Sequence, residues 1–334
     1  KPMTDSFWNG KKVLVTGAGG FIGSQLTETL AQQGAAVRAF VRYNSRRDPG
    51  LLRLTDEHLL REMEIIFGDI RDADAVTQAV RGCDLVFHLG ALISIPYSYV
   101  HPREVAEVNW MGTLNVLTAS RECGVGRVLH TSTSEVYGTA LRVPIDEDHP
   151  LQGQSPYSAS KIGADKMAES FYCAFQLPVV TVRPFNTYGP RQSARAVIPT
   201  IITQALALDE IHLGNLDTRR DFTFVSDTVR GVLCAAQAEQ VEGETFNLGT
   251  GQEVTIRELL ERIVKIVGRD VRVRVDDQRL RPEHSEVLRL LSNNQKARQR
   301  LHWQPEVSLE DGLEQTVEWI RQHQSLYRPG VYEF

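Results

Sequence analysis

The sequence predicts an α/β protein whose main domain is a doubly wound parallel sheet, joined to a smaller, discontinuous α/β domain toward the C-terminus. Three observations predict this class. Short apolar runs alternate with helical patterns as far as Pro190, which is typical of parallel βαβ units. A glycine-rich loop directly follows the first run. Beyond Pro190 the alternation loosens into segments richer in proline and arginine.

Each predicted strand is a short apolar run bounded by turn residues. The first helix is expected over residues 20–33, with Gly34 as its C-cap, because glycine readily ends a helix. A later apolar run, residues 245–248, is expected to return to the main sheet. The first six predicted strands are residues 13–16, 36–41, 64–68, 85–89, 127–131 and 179–183.

The composition is that of a globular protein without a basic excess. The 334 residues include 37 Lys and Arg against 42 Asp and Glu, a formal net charge of −5, which argues against nonspecific nucleic-acid binding. Cys83, Cys123, Cys173 and Cys234 are too far apart for metal-ligand spacing, so no metal site is expected. No apolar run suits a transmembrane helix or a signal peptide, and we expect a cytoplasmic protein without membrane contact.

The glycine-rich loop, Gly17-Ala-Gly-Gly20-Phe-Ile-Gly23, lies between the first predicted strand and the first predicted helix. Glycines there allow a tight turn and a close approach of the backbone to a pyrophosphate, whose charge the helix N-terminus attracts. This position makes the motif specific, so Gly17, Gly20, Phe21, Ile22 and Gly23 are predicted to bind a dinucleotide. A purely structural glycine turn is the alternative.

The residues after the second and third strands bear on which dinucleotide binds. Dinucleotide folds usually carry an acidic residue after the second strand to hold the ribose 2′-hydroxyl, but this chain has Arg42 there. A guanidinium suits a 2′-phosphate, so NADP is favoured over NAD. Stacking of Arg42 on adenine, or its exposure to solvent, stays open. Asp69 and Ile70 are expected beside the adenine, with a surface turn as the alternative.

Tyr157 and Lys161 are four residues apart in a helix expected to begin at the N-cap Ser155, with Pro156 as its first residue. That spacing places both side chains on one helix face. The pKa of a free phenol is about 10, and a neighbouring ammonium would lower it. Tyr157 is therefore a candidate base and Lys161 its partner. An amphipathic helix with an exposed lysine is the alternative.

Thr133, Ser134 and Glu135 follow the fifth predicted strand, at the edge where open parallel sheets bind their ligands. A hydroxyl at that edge can hold a substrate hydroxyl. Glu135 adds a carboxylate that a plain alcohol dehydrogenase would not need. A structural strand end with a capping glutamate is the alternative.

With these motifs the chain resembles, over about residues 10–325, the extended short-chain dehydrogenase/reductase family in its nucleotide-sugar epimerase and dehydratase branch. Residues 10–185 with about 231–262 are expected to form the dinucleotide-binding Rossmann domain. About 186–230 and 265–330 are expected to form the NDP-sugar domain. Further matching segments are Val108-Asn109, Arg183-Pro-Phe-Asn186-Thr-Tyr-Gly-Pro190, Arg220-Asp221-Phe222, Arg281-Pro282 and Ser285-Glu286-Val287.

Finer likenesses within the family favour a 4,6-dehydratase. Residues 154–165 and 184–199 look most like NDP-N-acetylglucosamine 4,6-dehydratases. Residues 133–138, Thr-Ser-Glu-Val-Tyr-Gly, look like GDP-mannose 4,6-dehydratases and UDP-glucuronate decarboxylases. UDP-glucuronate decarboxylases typically read Tyr-Asp-Glu-Gly-Lys where this chain reads Tyr157-Ser-Ala-Ser-Lys161, which disfavours decarboxylation. In dTDP-glucose 4,6-dehydratases an Asp, the acid for the departing hydroxyl, stands where this chain has Ser134.

The resemblance implies a redox-neutral 4,6-dehydration on a tightly bound cofactor. Tyr157 would take the C4 hydroxyl proton as hydride leaves for the nicotinamide, with Thr133 holding that hydroxyl and Lys161 holding the ribose. Glu135 would then remove the C5 proton and return a proton to the hydroxyl leaving C6, through Ser134 or a water. A 4-epimerase needs Tyr157 and the cofactor but no base at C5, so Glu135 decides between the two.

The same resemblance implies the residues that hold the substrate. Arg191, Arg220 and Arg281 would bind its diphosphate, and Asn186 a phosphate or sugar oxygen. The neighbouring Arg219 leaves the register open by one residue.

The resemblance also implies a homodimer, paired through helices near residues 105–121 and 157–175. The alternative functions are an NDP-sugar 4-epimerase and a UDP-glucuronate decarboxylase. A catalytically silent dinucleotide-binding regulator is disfavoured because Tyr157, Lys161 and Glu135 are all present.

Overall fold

Seven parallel strands form one sheet in the computed structural model, which describes residues 7–332. The strands of the described residues are β1 (Lys12–Thr16), β2 (Ala36–Arg42), β3 (Glu64–Gly68), β4 (Leu85–His88), β5 (Arg127–Thr131), β6 (Val179–Pro184), β7 (Thr187–Tyr188), β8 (Glu210–Leu213), β9 (Arg219–Arg220), β10 (Thr223–Phe224), β11 (Thr245–Leu248), β12 (Val254–Thr255) and β13 (Arg272–Val275).

Helices cover both faces of this sheet and build the region outside it. They are α1 (Phe21–Gln32), α2 (Glu57–Glu62), α3 (Ala73–Val80), α4 (Ile95–Val100), α5 (Pro102–Ala106), α6 (Gly112–Glu122), α7 (Pro156–Phe175), α8 (Val197–Ala207), α9 (Val225–Gln237), α10 (Ile256–Val267), α11 (Gln295–Leu301) and α12 (Leu309–Gln322).

The strand order is β3-β2-β1-β4-β5-β6-β11, and every neighbouring pair is parallel. The order reverses between β1 and β4, and open α/β sheets bind ligands beside such a reversal, outside the carboxyl ends of the strands. The predicted doubly wound sheet is confirmed, including the return of residues 245–248 to it. The predicted strand ends agree within one residue.

Alternating side chains of the central strands fill two cores, one on each face. Val13 and Val15 of β1 pack in the core that α1 and α9 cover, whereas Leu14 packs in the core that α3, α6 and α7 cover. A sheet buried on both faces needs continuous apolar strands, which is what the sequence supplies. The first helix ends one residue earlier than expected, with Gln33 as its C-cap, and Gly34 follows at φ +89°.

The region outside the sheet packs around α8, α10 and α12, with β8 and β13 as a parallel pair. The sequence-based boundary assigned residues up to about 262 to the sheet domain, but α10 packs against α8 and α12 because its buried face consists of Ile256, Leu259, Leu260 and Ile263. Within residues 7–332, none of the helices is long and apolar enough to cross a lipid bilayer.

Candidate active site

The glycine loop joins β1 to α1 at the carboxyl edge of the sheet. Gly17 has φ +70°, and a Cβ atom there would lie 2.8 Å from the backbone nitrogen of Gly90. A Cβ atom on Gly23 would lie 2.1 Å from the carbonyl oxygen of Gly17. Both positions therefore require glycine, the first for its backbone conformation and the second for the close packing of helix on turn.

The N-terminus of α1 is open to an anion. In the part of the chain that the structure describes, no side chain caps Gly20, and the first turn carries no acidic residue. Its backbone N–H groups and the positive end of the helix dipole therefore suit a phosphate. Together with the cradle that a Cβ atom would fill, these features fit the pyrophosphate of a dinucleotide. Phe21 and Ile22 pack against the core beneath the loop.

The residues predicted at the adenosine end lie at the ends of β2 and β3. The Arg42 side chain is 67% exposed, with its Nη2 3.4 Å from Glu104 Oε1. Arg71 binds the Asp69 carboxylate with an Nη2 to Oδ2 distance of 2.6 Å, and this hydrogen bond holds the pKa of Asp69 below its ordinary value. Ile70 is buried. Arg42 is thus the accessible cation at this end, and Asp69 is already paired.

Helix α7 positions Tyr157 and Lys161 as the sequence predicts. The Ser155 hydroxyl accepts a hydrogen bond from the Ser158 backbone, and Pro156 is the first helical residue. Tyr157 and Lys161 are both buried, and the Lys161 ammonium donates to the Thr131 carbonyl oxygen at 2.8 Å. Lys161 is therefore anchored to the end of β5 rather than exposed.

Burial dominates the proton affinities of this pair. It raises the pKa of Tyr157 above that of a free phenol, a change that the hydrogen bond with Thr133 only partly offsets. The expectation that Lys161 lowers this pKa is wrong for the protein alone, because the Lys161 ammonium is turned to the Thr131 carbonyl group. Burial also lowers the pKa of Lys161, to about 8, although Asp165 opposes the change.

Sequence reasoning missed a buried ionic network below Lys161. One oxygen of Asp165 lies 3.0 Å from His130 Nε2, and the other accepts from Ser132 at 2.8 Å and from Arg183 at 3.0 Å. Burial alone would raise the pKa of Asp165, but these partners lower it to about 2. The signal was present in the sequence, because Asp165 follows Lys161 by four residues on the same face of α7. The network holds α7 against β5 and β6.

A short 3₁₀ turn, Ser134–Tyr137, brings Glu135 to Tyr157. Thr133 precedes the turn, and its hydroxyl accepts from the Glu135 backbone N–H at 3.2 Å. Both side chains act on the buried Tyr157 phenol, since Thr133 lowers its pKa and the Glu135 charge raises it. Ser134 is buried. Thr133 and Glu135 thus lie near enough to the Tyr157 phenol to change its pKa, and their catalytic roles stay a prediction.

Two predicted substrate residues join this group from the region outside the sheet. Nη1 of Arg281 lies 3.9 Å from Glu135 Oε2, and the Glu135 charge also acts on the buried Arg220 guanidinium. Asn186 donates to the carbonyl oxygen of Asp221, beside Arg220. Two cations therefore act on the predicted catalytic carboxylate, and Asn186 is bonded to the residue that follows one of them.

Arg191 lies elsewhere. Its Nη2 is 2.6 Å from Glu28 Oε2 on α1, and its Nη1 is 3.5 Å from the hydroxyl of Ser24, one residue after the glycine loop. The structure therefore places Arg191 against the helix of the glycine loop rather than with Arg220 and Arg281.

Comparison with known proteins identifies the family of this chain. The model of the family described as GDP-mannose 4,6 dehydratase matches residues 14–316. The chain belongs to this family. It groups nucleotide-sugar dehydratases and epimerases of the extended short-chain dehydrogenase/reductase type, so the resemblance seen in the sequence is confirmed.

Relatives in the family differ in reaction. A UDP-glucose 4-epimerase of Mycolicibacterium smegmatis is 34% identical over 93% of this chain and 98% of its own. A dTDP-glucose 4,6-dehydratase of Streptomyces niveus is 31% identical over 95% of each. A solved dTDP-glucose 4,6-dehydratase, DesIV from Streptomyces venezuelae with NAD bound, superposes with a TM-score of 0.84 at 31% identity, covering 95% of this chain and 99% of that one. The chain is an enzyme of this NAD-dependent family.

Proposed function

We propose that this protein is an NDP-sugar 4,6-dehydratase that converts an NDP-hexose, with NDP-N-acetylglucosamine as the preferred candidate, to its 4-keto-6-deoxy derivative. The observation that carries the proposal is the meeting of Glu135 with Tyr157 and Thr133 at the carboxyl edge of the sheet. Oxidation at C4 alone needs a base for one hydroxyl. A carboxylate beside that base supplies a second proton transfer, which elimination across C5 and C6 requires.

The first proton transfer belongs to Tyr157. Its phenol takes the C4 hydroxyl proton, while Thr133, which acts on the same phenol, holds the substrate hydroxyl. Bound NADP or NAD would supply the hydride acceptor at C4 and return the hydride at C6. Because burial disfavours the phenolate, Tyr157 needs a positive charge close by during this step, and Lys161 is the cation that α7 provides.

The second proton transfer belongs to Glu135. The C4 ketone acidifies the C5 proton, and the Glu135 carboxylate removes it. The C6 hydroxyl then leaves with a proton. Ser134 stands where dTDP-glucose dehydratases carry an aspartic acid, so Glu135 returns the proton itself, through Ser134 or a water. The reaction balances as loss of one water from the sugar.

The substrate's diphosphate is assigned to Arg220 and Arg281, with Asn186 on a phosphate or sugar oxygen. The ion pair of Arg281 with Glu135 and the effect of the Glu135 charge on Arg220 support this assignment, in which the anion lies next to the sugar. Arg191, being ion-paired on α1, is assigned to the dinucleotide side.

For the cofactor we propose NADP, on the exposed Arg42 at the end of β2. NAD is the alternative, supported by the NAD in the DesIV structure. Titration of both cofactors into the wild-type protein and Arg42→Ala tests the choice. If Arg42→Ala loses affinity for NADP but not for NAD, the proposal of NADP is supported. Equal losses of affinity for NADP and NAD contradict it.

A 4-epimerase is the second candidate function, supported by the 34% identity to the M. smegmatis enzyme. A decarboxylase is supported by a relative named for that activity, from Bacillus cytotoxicus, and is disfavoured by the residues between Tyr157 and Lys161. Incubation of the purified protein with a panel of NDP-hexoses, followed by mass spectrometry, separates the three. Loss of water supports the dehydratase, an unchanged mass with a C4 epimer supports the epimerase, and loss of carbon dioxide from an NDP-hexuronate supports the decarboxylase.

A further inference from the structure

Four charged side chains form one cluster at the substrate end of the site: Glu135, Arg220, Arg281 and Glu286, here called the charge cluster. Nη2 of Arg220 lies 3.6 Å from Glu286 Oε1, and Nη1 of Arg281 lies 3.8 Å from the same oxygen. Arg281 Nη1 is also 3.9 Å from Glu135 Oε2. One carboxylate thus faces both guanidiniums, and one guanidinium lies between two carboxylates.

The Arg220 side chain and one nitrogen of the partly exposed Arg281 side chain are buried without being fully hydrogen-bonded. The Arg220 side chain is 8% exposed, and Arg281 Nη1 is buried with no hydrogen-bond partner among residues 7–332. Distances of 3.6 to 3.9 Å are those of ion pairs and are too long for good hydrogen bonds. Both cations therefore keep N–H groups for a planar or tetrahedral oxyanion, which bonds a guanidinium fork well.

Glu286 offsets the cost of placing two cations together. Burial lowers the pKa of Arg220, and the nearby Arg281 charge lowers it further, whereas the carboxylates of Glu135 and Glu286 oppose this. Without Glu286, the remaining carboxylate facing both cations is Glu135. The Arg281 charge, which Glu135 and Glu286 now share, would then bear on Glu135 alone, the group that the proposed reaction needs as a base.

Backbone hydrogen bonds hold Glu286 in the position from which it faces Arg220 and Arg281. Its N–H donates to the carbonyl oxygen of Pro282 at 3.0 Å, and its own carbonyl accepts from the Thr139 hydroxyl at 3.3 Å. The preceding Ser285 is hydrogen-bonded to the Tyr99 hydroxyl at 2.6 Å. The segment carrying Glu286 is therefore tied to the loop after the 3₁₀ turn of Glu135 and to α4.

We propose that Glu286 is a positioning residue for the substrate's diphosphate, which holds Arg220 and Arg281 in the arrangement that binds it and shares the Arg281 charge with Glu135. The proposal rests on the proposed function, because it takes a nucleoside diphosphate as the anion. Glu286 touches neither the reacting carbons nor the cofactor in this role. Its effect is carried by the two arginines.

The test compares Glu286→Gln with Glu283→Gln, an exposed glutamate three residues earlier in the same segment. Isothermal titration calorimetry measures the affinity of each for UDP, dTDP, GDP and CDP without sugar or turnover. We expect Glu286→Gln to weaken the best nucleoside diphosphate roughly tenfold or more. Glu283→Gln should leave it unchanged. Thermal melting of both variants shows whether the fold is kept.

A variant that keeps the negative charge distinguishes the proposed electrostatic role of Glu286 from a merely structural one. Glu286→Asp keeps the carboxylate, so it should recover part of the lost affinity, and it serves as the test if the Gln variant fails to fold. Wild-type affinity in a folded Glu286→Gln protein overturns the proposal. If the wild type binds a nucleoside diphosphate but forms no keto-deoxy sugar, the proposed function fails while the role of Glu286 stands. If it binds none of the four, both fail.

Discussion

At the scale of single residues, the site consists of groups whose proton affinities are set by burial. Tyr157 and Lys161 are both shielded from water, and in both cases burial favours the neutral form. Groups that are buried in this way exchange protons with a bound substrate more readily than with solvent. Glu135 differs, because it faces the arginines of the charge cluster as well as Tyr157.

Glu135→Gln separates the two proton transfers. The amide keeps the size and hydrogen bonding of the side chain but removes the base, so substrate and cofactor should still bind. Oxidation at C4 should occur in one turnover because Tyr157 and Lys161 are intact, and reduced nicotinamide should accumulate in rapid-mixing absorbance. Overall turnover should fall by ~10²–10⁴-fold. Tyr157→Phe should instead abolish the absorbance change, and near-normal turnover of Glu135→Gln would rule out its role.

Lys161 predicts an alkaline limit to activity. The ammonium form is required beside Tyr157, and it is present below its pKa of about 8 and lost as the pH rises through that value. The rate at saturating substrate should therefore decline above about pH 8. A pH profile on prebound cofactor measures it, with circular dichroism at each pH to verify the fold. A rate that stays constant well into the alkaline range contradicts this use of Lys161.

At the scale of elements, sequence periodicity predicted the strands and helices. It did not predict which elements and side chains contact each other in the folded chain. The strands, the cap at Ser155 and the meeting of Thr133, Glu135 and Tyr157 follow from local signals at the carboxyl edge of a parallel sheet. Local signals do not show that α10 packs against α8 and α12, or that Arg191 forms an ion pair with Glu28. An amphipathic helix shows that it has an apolar face without showing which helix covers it, and an arginine pairs with whichever carboxylate the fold brings near.

The turn between β1 and α1 yields a test at this scale. Gly23→Ala places a Cβ atom 2.1 Å from the Gly17 carbonyl oxygen, so the loop must move away from the helix. Dinucleotide binding should be lost or weakened by at least tenfold, about 1.4 kcal/mol, as measured by cofactor titration. Gly163→Ala in α7 is the control, because its added atom would lie 3.5 Å from Trp110, an ordinary contact. Equal cofactor affinity in the two variants would contradict the close-packing argument.

At the scale of the whole molecule, apolar side chains remain exposed on the helices expected to pair. Trp110 is 42% exposed, Met111 40% and Phe175 49%. Trp110 belongs to a π-helical turn, Glu107–Met111, between α5 and α6, and Phe175 ends α7. We propose that a second copy of the chain covers them about a two-fold axis, as homodimers commonly do.

Trp110→Glu tests this assembly. Burial of a charge at the centre of such an interface is costly, so the variant should be a monomer where the wild type is a dimer in light scattering at micromolar concentration. Leu141→Glu, at a position 67% exposed outside these helices, is the control and should stay dimeric. A wild type that is monomeric under the same conditions contradicts the assembly.

In the proposed reaction, Glu135 makes this fold a dehydratase by exchanging a proton at C5. The most direct measurement is the wild-type reaction in deuterated water, on the NDP-hexose that the panel identifies, with the product examined by NMR. The account predicts a 4-keto-6-deoxy sugar that carries solvent deuterium at C5. A product that keeps the original C5 proton, or a C4 epimer formed without loss of water, would contradict it.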